Sequence, residues 1–220
     1  MAELHRLHAS ILNGNARVAA EITQQALAEN VDPMALLTNC MVPAMDEVGR
    51  RFECQEYFVP ELLLSARAMK SALELIRPLL AARGAQPAGR VVIGTVKGDL
   101  HDIGKNLVAS MLEGGGFEVV DLGIDVPAEK FVEAVRASHA NFVALSALLT
   151  ATMPSMKTTI EALKQAGIRT QVKVMVGGAP VTKNYAEAIG ADGYSESAAG
   201  AVALARRLAA AAAESATSGE

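Results

Sequence analysis

The hydrophobic periodicity of this chain changes near residue 85, and that change limits what it can fold into. Before it, Leu62, Ala66, Met69, Leu73, Ile76 and Leu80 recur at alternating steps of four and three, one face of a helix. Leu37, Met41, Ala44, Val48 and Phe52 do the same for an earlier helix, with Asp32 as its cap and Pro33 at its first position. Two further helices fit roughly 3–13 and 15–30, with Gly14 between them. Four helices on short connections predict a small antiparallel bundle. Ala82 to Gly89 is small, contains Gly and Pro and has no periodicity, so it reads as a linker with the composition of a hinge. The predicted domains are 1–84 and 90–212.

After the linker the pattern alternates. VVIGTV at 91–96, FEVVDL at 117–122, FVALSA at 142–147 and VKVMVG at 172–177 are apolar runs of strand length, with a weak fifth strand near 192–194. Helical stretches fall near 104–114, 128–138, 154–166 and 181–189, and a last helix follows Ser197. Strands alternating with helices give right-handed crossovers and a parallel sheet covered on both faces. The fold class is α/β: an N-terminal four-helix bundle, then a Rossmann-like (flavodoxin-like) domain. The tail AAAAESATSGE is expected to fray.

Composition removes several function classes. The formal net charge is −4, which leaves no basic footprint for nucleic acid. No apolar run reaches the ~18 residues of a membrane span. The first residues lack the basic start and apolar stretch of a signal peptide. Two cysteines, Cys40 and Cys54, form neither a disulfide framework nor a zinc pair. The expectation is a reduced, cytoplasmic protein that meets neither nucleic acid nor membrane.

In a parallel open sheet, ligands bind at the carboxyl ends of the strands. The loop after the first strand reads Lys97-Gly98-Asp99-Leu100-His101-Asp102-Ile103-Gly104. It lacks the glycine patterns of dinucleotide and phosphate loops. It does carry one His with an Asp two residues before it. Neutral imidazole is the commonest metal ligand, and a carboxylate on its other nitrogen fixes the tautomer. One His cannot hold zinc, which takes three or four protein ligands. It can complete a metal whose other positions a macrocycle fills. The alternative is a cap or a surface hydrogen-bond pair. His5, His8 and His139 read as surface residues.

The run Asp99 to Gly104, followed by Ser146-Ala147-Leu148 and Gly177-Gly178, resembles the D-x-H-x-x-G … S-x-L … G-G signature of cobalamin-binding domains. That family includes cobalamin-dependent methionine synthase and the corrinoid proteins of methylamine and methanol methyltransferase systems. Phe52 to Met69 resembles part of the helical cap module of these proteins, and the resemblance spans about residues 10 to 210. It implies cobalamin as cofactor, with His101 as lower axial ligand of cobalt and Asp99 as the carboxylate behind it. Thr152 stands where the relay continues through a hydroxyl. Asp102 and Gly104 fall in the same motif, Gly104 letting the first helix start close to the nucleotide tail. Ser146, Leu148 and, more weakly matched, Thr150 line that tail. Gly177 and Gly178 allow close approach; taken alone they are a strand-end turn. Phe52, Phe58, Val59 and Leu62 match positions that cover the methyl-bearing face; taken alone they are core residues of a helix pair.

The resemblance implies a corrinoid methyl carrier, a non-catalytic subunit that receives a methyl group from a substrate-corrinoid methyltransferase. A corrinoid-folate or corrinoid-thiol methyltransferase takes it onward, and a reductive activase restores the cofactor. An eightfold barrel alone needs roughly 250 residues, so the substrate enzyme is a separate partner. Two alternatives are a mutase small subunit, which resembles only the second half, and a cobalamin-binding regulatory sensor, which pairs with a signalling or DNA-binding module not evident in residues 1–85. A binding module without cobalamin requires the Asp-x-His match to be accidental.

Overall fold

Polar side chains at helix ends set the boundaries in the first half of the chain. Helix α1 (Ala2–Leu12) ends before Gly14, and Asn15 caps α2 (Ala16–Ala28) by accepting from the Val18 N–H at 3.1 Å. The free carbonyl of Leu12 accepts from the hydroxyls of Ser65 at 3.0 Å and Tyr57 at 3.2 Å. These bonds satisfy an α1 end that would otherwise lack a partner. The structure, a computed structural model, describes residues 2–84 and 87–217.

Asp32 caps the next helix as expected, its carboxylate accepting from the Ala35 N–H at 3.2 Å and pairing with Arg83. The helix is not continuous. It runs as α3 (Pro33–Leu36), a π turn over Leu37–Met41, then α4 (Val42–Glu53). Pro43 has no N–H to give the carbonyl of Asn39 and its ring crowds that carbonyl, so the turn widens there. The extra residue shifts the buried face by one position. Leu36 is buried before the π turn and Cys40 and Met41 within it, while Leu37 is only half-buried. Helix α5 (Val59–Ala82) buries the whole expected row, Leu62, Ala66, Met69, Leu73, Ile76 and Leu80. Of the expected linker, Ala85 and Gln86 lie outside the described residues.

The second half carries five parallel strands: β1 (Arg90–Thr95), β2 (Glu118–Asp121), β3 (Phe142–Ser146), β4 (Lys173–Gly177) and β5 (Gly193–Tyr194). Their order is β2-β1-β3-β4-β5. The register pairs Thr95 with Ser146 and Ser146 with Gly177, so three strands end level. The strands alternate with α6 (Ile103–Gly114), α7 (Ala128–Ser138), α8 (Pro154–Gln165), α9 (Lys183–Ile189) and α10 (Ala198–Thr217). The central strands are buried nearly throughout, as strands covered on both faces must be. The tail expected to fray is helical to Thr217, in keeping with the high helix propensity of its alanines; residues 218–220 lie outside the described residues. The chain forms two compact units, Met1–Pro87 with Ser110–Gly116, and Ala88–Ala109 with Phe117–Glu220. Among the described residues no helix is long and apolar enough to cross a membrane.

Candidate cofactor site

The strand order reverses between β1 and β3, and a crevice for ligands forms at that point, outside the carboxyl ends of the strands. The loops leaving these two strands hold Asp99, His101, Leu148 and Thr152, and the structure brings all four together. Asp99 has no exposed surface. Its Oδ1 accepts from the His101 ring at Nδ1, 2.7 Å away, and from the His101 N–H at 3.1 Å. Its Oδ2 accepts from the N–H groups of Leu148 at 2.7 Å and Leu149 at 3.2 Å, and from the Thr152 hydroxyl at 2.7 Å.

Burial pushes the Asp99 carboxyl upward, but the bonds from Thr152, Leu148 and His101 outweigh it and hold the group well below the usual carboxylate range. Asp99 is therefore ionised at working pH, and the hydrogen it shares with His101 belongs to Nδ1. The lone pair is then on Nε2. The His101 side chain is 49% exposed, and Nε2 has no hydrogen-bond partner among the described residues. The ring is fixed at one nitrogen and open at the other, the condition of a metal ligand. Thr95 steadies the same residue by donating its hydroxyl to the His101 carbonyl at 2.7 Å.

Four large aliphatic side chains on the loops after β1, β2 and β3 are exposed, Leu100 at 66% and Ile124, Leu148 and Leu149 at 43–45%, as is Ile103 at the start of α6 at 77%. Exposed apolar side chains on the loops at these strand ends suit a broad, flat, largely apolar partner. No group of three or more His, Cys, Asp or Glu that could hold a metal ion occurs among the described residues. A metal at His101 must arrive with its other positions filled, and a corrinoid meets that condition.

The remaining predicted residues have distinct places. Asp102 is exposed, its carbonyl accepting from the Asn106 N–H at 2.7 Å and its carboxylate from the Asn106 side chain at 3.1 Å, so it starts α6. A Cβ placed on Gly104 meets nothing within 4 Å, which leaves the space beside the start of α6 open. Ser146 is half-buried at the end of β3, and Thr150 is exposed and joins none of the bonds around Asp99. Gly177 and Gly178 have a reason inside the fold. Gly178 has φ +129°, and a Cβ there would sit 1.9 Å from the Ala147 carbonyl oxygen; on Gly177 it would sit 3.0 Å from that of Ser195. The close approach required at Gly178 is thus already that of another stretch of chain. In the helical unit, Phe58 is 64% and Val59 39% exposed, Phe52 is half-buried and Leu62 is fully buried.

Sequence reasoning missed Thr95 and two further contributors. Leu149 gives its N–H to Asp99, a backbone bond that no side-chain pattern reports. Asp125, in the loop after β2, binds the loop that carries Asp99. Its one signal is its place in Gly-Ile-Asp-Val-Pro, where Asp readily takes a turn conformation.

Comparison with known proteins gives the family. Two family models, each described as a B12 binding domain, match residues 89–203 and residues 3–77. The chain is 46% identical over 201 residues to trimethylamine corrinoid protein 1 of Methanosarcina acetivorans, covering 90% of this chain and 93% of the relative. A novel cobalamin-binding protein from Desulfitobacterium hafniense superposes with TM-score 0.77 at 34% identity, covering 93% of this chain and 97% of the other. The methanol:cobalamin methyltransferase complex MtaBC from Methanosarcina barkeri superposes with TM-score 0.84 at 31% identity, covering 95% of this chain and 80% of that one.

Proposed function

The chain belongs to the B12-binding corrinoid proteins of methyltransferase systems, its cofactor is cobalamin, and on that premise we propose that it carries a methyl group between two methyltransferases with His101 as the lower axial ligand of cobalt. Bound cobalamin, held at His101, would supply the methyl-accepting and methyl-releasing chemistry. The chain supplies what surrounds that chemistry. His101 offers Nε2, and Asp99 keeps the proton on Nδ1 and the ring in one orientation. Thr152 and the Leu148 and Leu149 amides keep Asp99 ionised although it is buried. Leu100, Ile103, Ile124 and Leu148 give apolar support around the ring and keep water from the bond. Gly104, Ser146, Thr150, Gly177 and Gly178 are the positions proposed to line the nucleotide tail. Of Phe52, Phe58, Val59 and Leu62, the exposed Phe58 and Val59 and the half-buried Phe52 are proposed to cover the methyl-bearing face, and the fully buried Leu62 is a core residue beneath them.

The observation that carries this reading is the fully buried Asp99 holding Nδ1 of a half-exposed histidine whose Nε2 stays free. The first partner is a substrate-specific methyltransferase; MtaBC, a complex named as a methanol:cobalamin methyltransferase, supports that class. The higher identity to a trimethylamine corrinoid protein favours a methylated amine as donor. The second partner is a corrinoid-folate or corrinoid-thiol methyltransferase, with a reductive activase beside it.

The test of ligation uses protein labelled with nitrogen-15 histidine, loaded with cobalamin and reduced to the Co(II) state. The electron paramagnetic resonance spectrum should change from the nitrogen-14 triplet of unlabelled protein to a nitrogen-15 doublet, and His101→Ala should lose the labelled pattern. A triplet that persists in the labelled protein means that the ligand is the cofactor's own base and the reading is wrong.

A further inference from the structure

The loop after β1 is gripped from its other side by a residue outside the Asp-x-His motif. Asp125 belongs to the loop after β2 and has φ +51°, in the left-handed region that Asp and Asn tolerate better than most side chains. In that conformation its carboxylate and its N–H point at successive residues of the same neighbouring loop. Oδ1 accepts from the Gly98 N–H at 2.8 Å, and the Asp125 N–H donates to the Asp99 carbonyl at 2.9 Å. Lys97 Nζ lies 3.6 Å from Oδ1. Three consecutive residues, 97 to 99, are thus held by one. Gly98 takes φ +86° between the other two, so its N–H is aimed by a turn rather than by the strand ladder. The backbone on either side of Asp125 is also pinned: Val126 pairs with Val96, and the Thr95 N–H donates to the Gly123 carbonyl at 2.9 Å.

This grip complements the one Asp99 makes with its own side chain. Leu148, Leu149 and Thr152 fix the Asp99 carboxylate from the β3 side. Asp125 fixes the Asp99 backbone from the β2 side. The direction of the carboxylate, and hence of the His101 ring, needs both ends of the residue held.

We infer that Asp125 is a positioning residue for the axial histidine: through Gly98 and the Asp99 carbonyl it sets the angle at which His101 presents Nε2 to the metal. The inference rests on the axial-ligand reading above. A charge-free amide at this position retains the acceptor and tolerates the left-handed conformation. A glycine retains the conformation but has no acceptor. The two substitutions therefore separate the grip from the backbone shape.

The experiment compares Asp125→Asn, Asp125→Gly and Asp125→Ala in the full chain. Circular dichroism first establishes that each variant is folded. In the cobalamin-free protein, nitrogen NMR of His101 reads the tautomer and the Nδ1–H exchange rate. In the Co(II)-cobalamin form, nitrogen-15 histidine labelling reads the fraction of metal bound by the ring. Groups that support a metal ligand typically contribute about 10–100-fold in affinity, so Asp125→Gly should bind cobalamin about tenfold more weakly. It should also show faster Nδ1–H exchange and a reduced histidine-bound fraction, while Asp125→Asn stays near wild type. Asp125→Gly equal to wild type in these readouts would overturn the inference, as would Asp125→Asn failing alongside Asp125→Gly. If Asp125→Ala does not fold, the Asn and Gly variants still decide. A wild-type protein without the histidine pattern would instead overturn the ligation reading itself.

Discussion

The substitution Asp99→Asn removes one charge and no volume, so its effect follows from the donors around it. Five groups donate to the two oxygens of Asp99. An amide has one oxygen, and either orientation leaves a conflict. With its NH2 toward the β3 loop, it faces the N–H groups of Leu148 and Leu149, formerly 2.7 Å and 3.2 Å from Oδ2. Each buried donor left unpaired costs about 1–3 kcal/mol, so this orientation costs about 2–6 kcal/mol. With its NH2 toward His101, it meets the His101 N–H and requires Nδ1 to accept, which moves the ring proton to Nε2. That nitrogen then has no lone pair for a metal. The second orientation leaves one backbone N–H unpaired rather than two, so the variant should lose about 1–3 kcal/mol in urea unfolding of the cobalamin-free protein. The folded variant should bind cobalamin about 10–100-fold more weakly and show a reduced histidine signal in the Co(II) spectrum. Unchanged stability together with an intact histidine signal would refute the claim that the carboxylate sets the tautomer.

Three further outcomes follow from other parts of the structure. Because folding lowers the carboxyl pKa of Asp99, its stabilisation is present above the unfolded value of about 3.9 and is lost as pH falls through the lower folded value; the urea stability gap between wild type and Asp99→Asn should therefore shrink below about pH 4, and a gap constant to strong acid would contradict the sign. Gly178→Ala places a Cβ 1.9 Å from the Ala147 carbonyl oxygen at φ +129°, so thermal unfolding of the cobalamin-free protein should fall by several kcal/mol, above the usual 0.5–3 kcal/mol of a point change; a loss of cobalamin affinity with no loss of stability would give this glycine to the cofactor alone. Phe58→Ala trims a side chain that is 64% exposed, so stability should move by no more than about 0.5 kcal/mol while bound methylcobalamin photolyses faster; unchanged photolysis would remove Phe58 from the cover.

Periodic features were the legible ones. The α5 row from Leu62 to Leu80 is buried throughout, because α5 runs as one α-helix from Val59 to Ala82 with no π turn to shift its period. The face assigned to the preceding helix slipped at Leu37, because Pro43 adds a π turn and an extra residue rotates everything before it. The Asp-x-His pair was legible because both partners lie within three residues. Thr152 was reached only through the resemblance, since it stands 53 residues from Asp99 and the contact depends on β1 and β3 being neighbours. Asp125 was missed for the same reason: its partners are backbone groups of a loop on another strand, and backbone groups leave no trace in side-chain identity. The two glycines were read for what a cofactor needs, whereas the contact at Gly178 is with the chain itself.

The position of the site explains why it needs bracing from two strands. At the switch between β1 and β3 the chain crosses to β2 on one side and to β4 on the other. Right-handed crossovers then send α6 and α8 to opposite faces of the sheet. Asp99 stands in the loop between the end of β1 and the start of α6. A carboxylate buried there is stable only if the surrounding loops supply its donors, and they do so from 148, 149 and 152 while Asp125 secures its backbone. The His101 ring that Asp99 holds is half exposed while its anchor is fully buried. A ring nitrogen that is both rigid and accessible thus follows once an Asp stands at 99 and a His at 101. If His101 ligates the metal as proposed, the strength of that bond should respond to changes in three loops, of which the one after β2 carries no part of the signature.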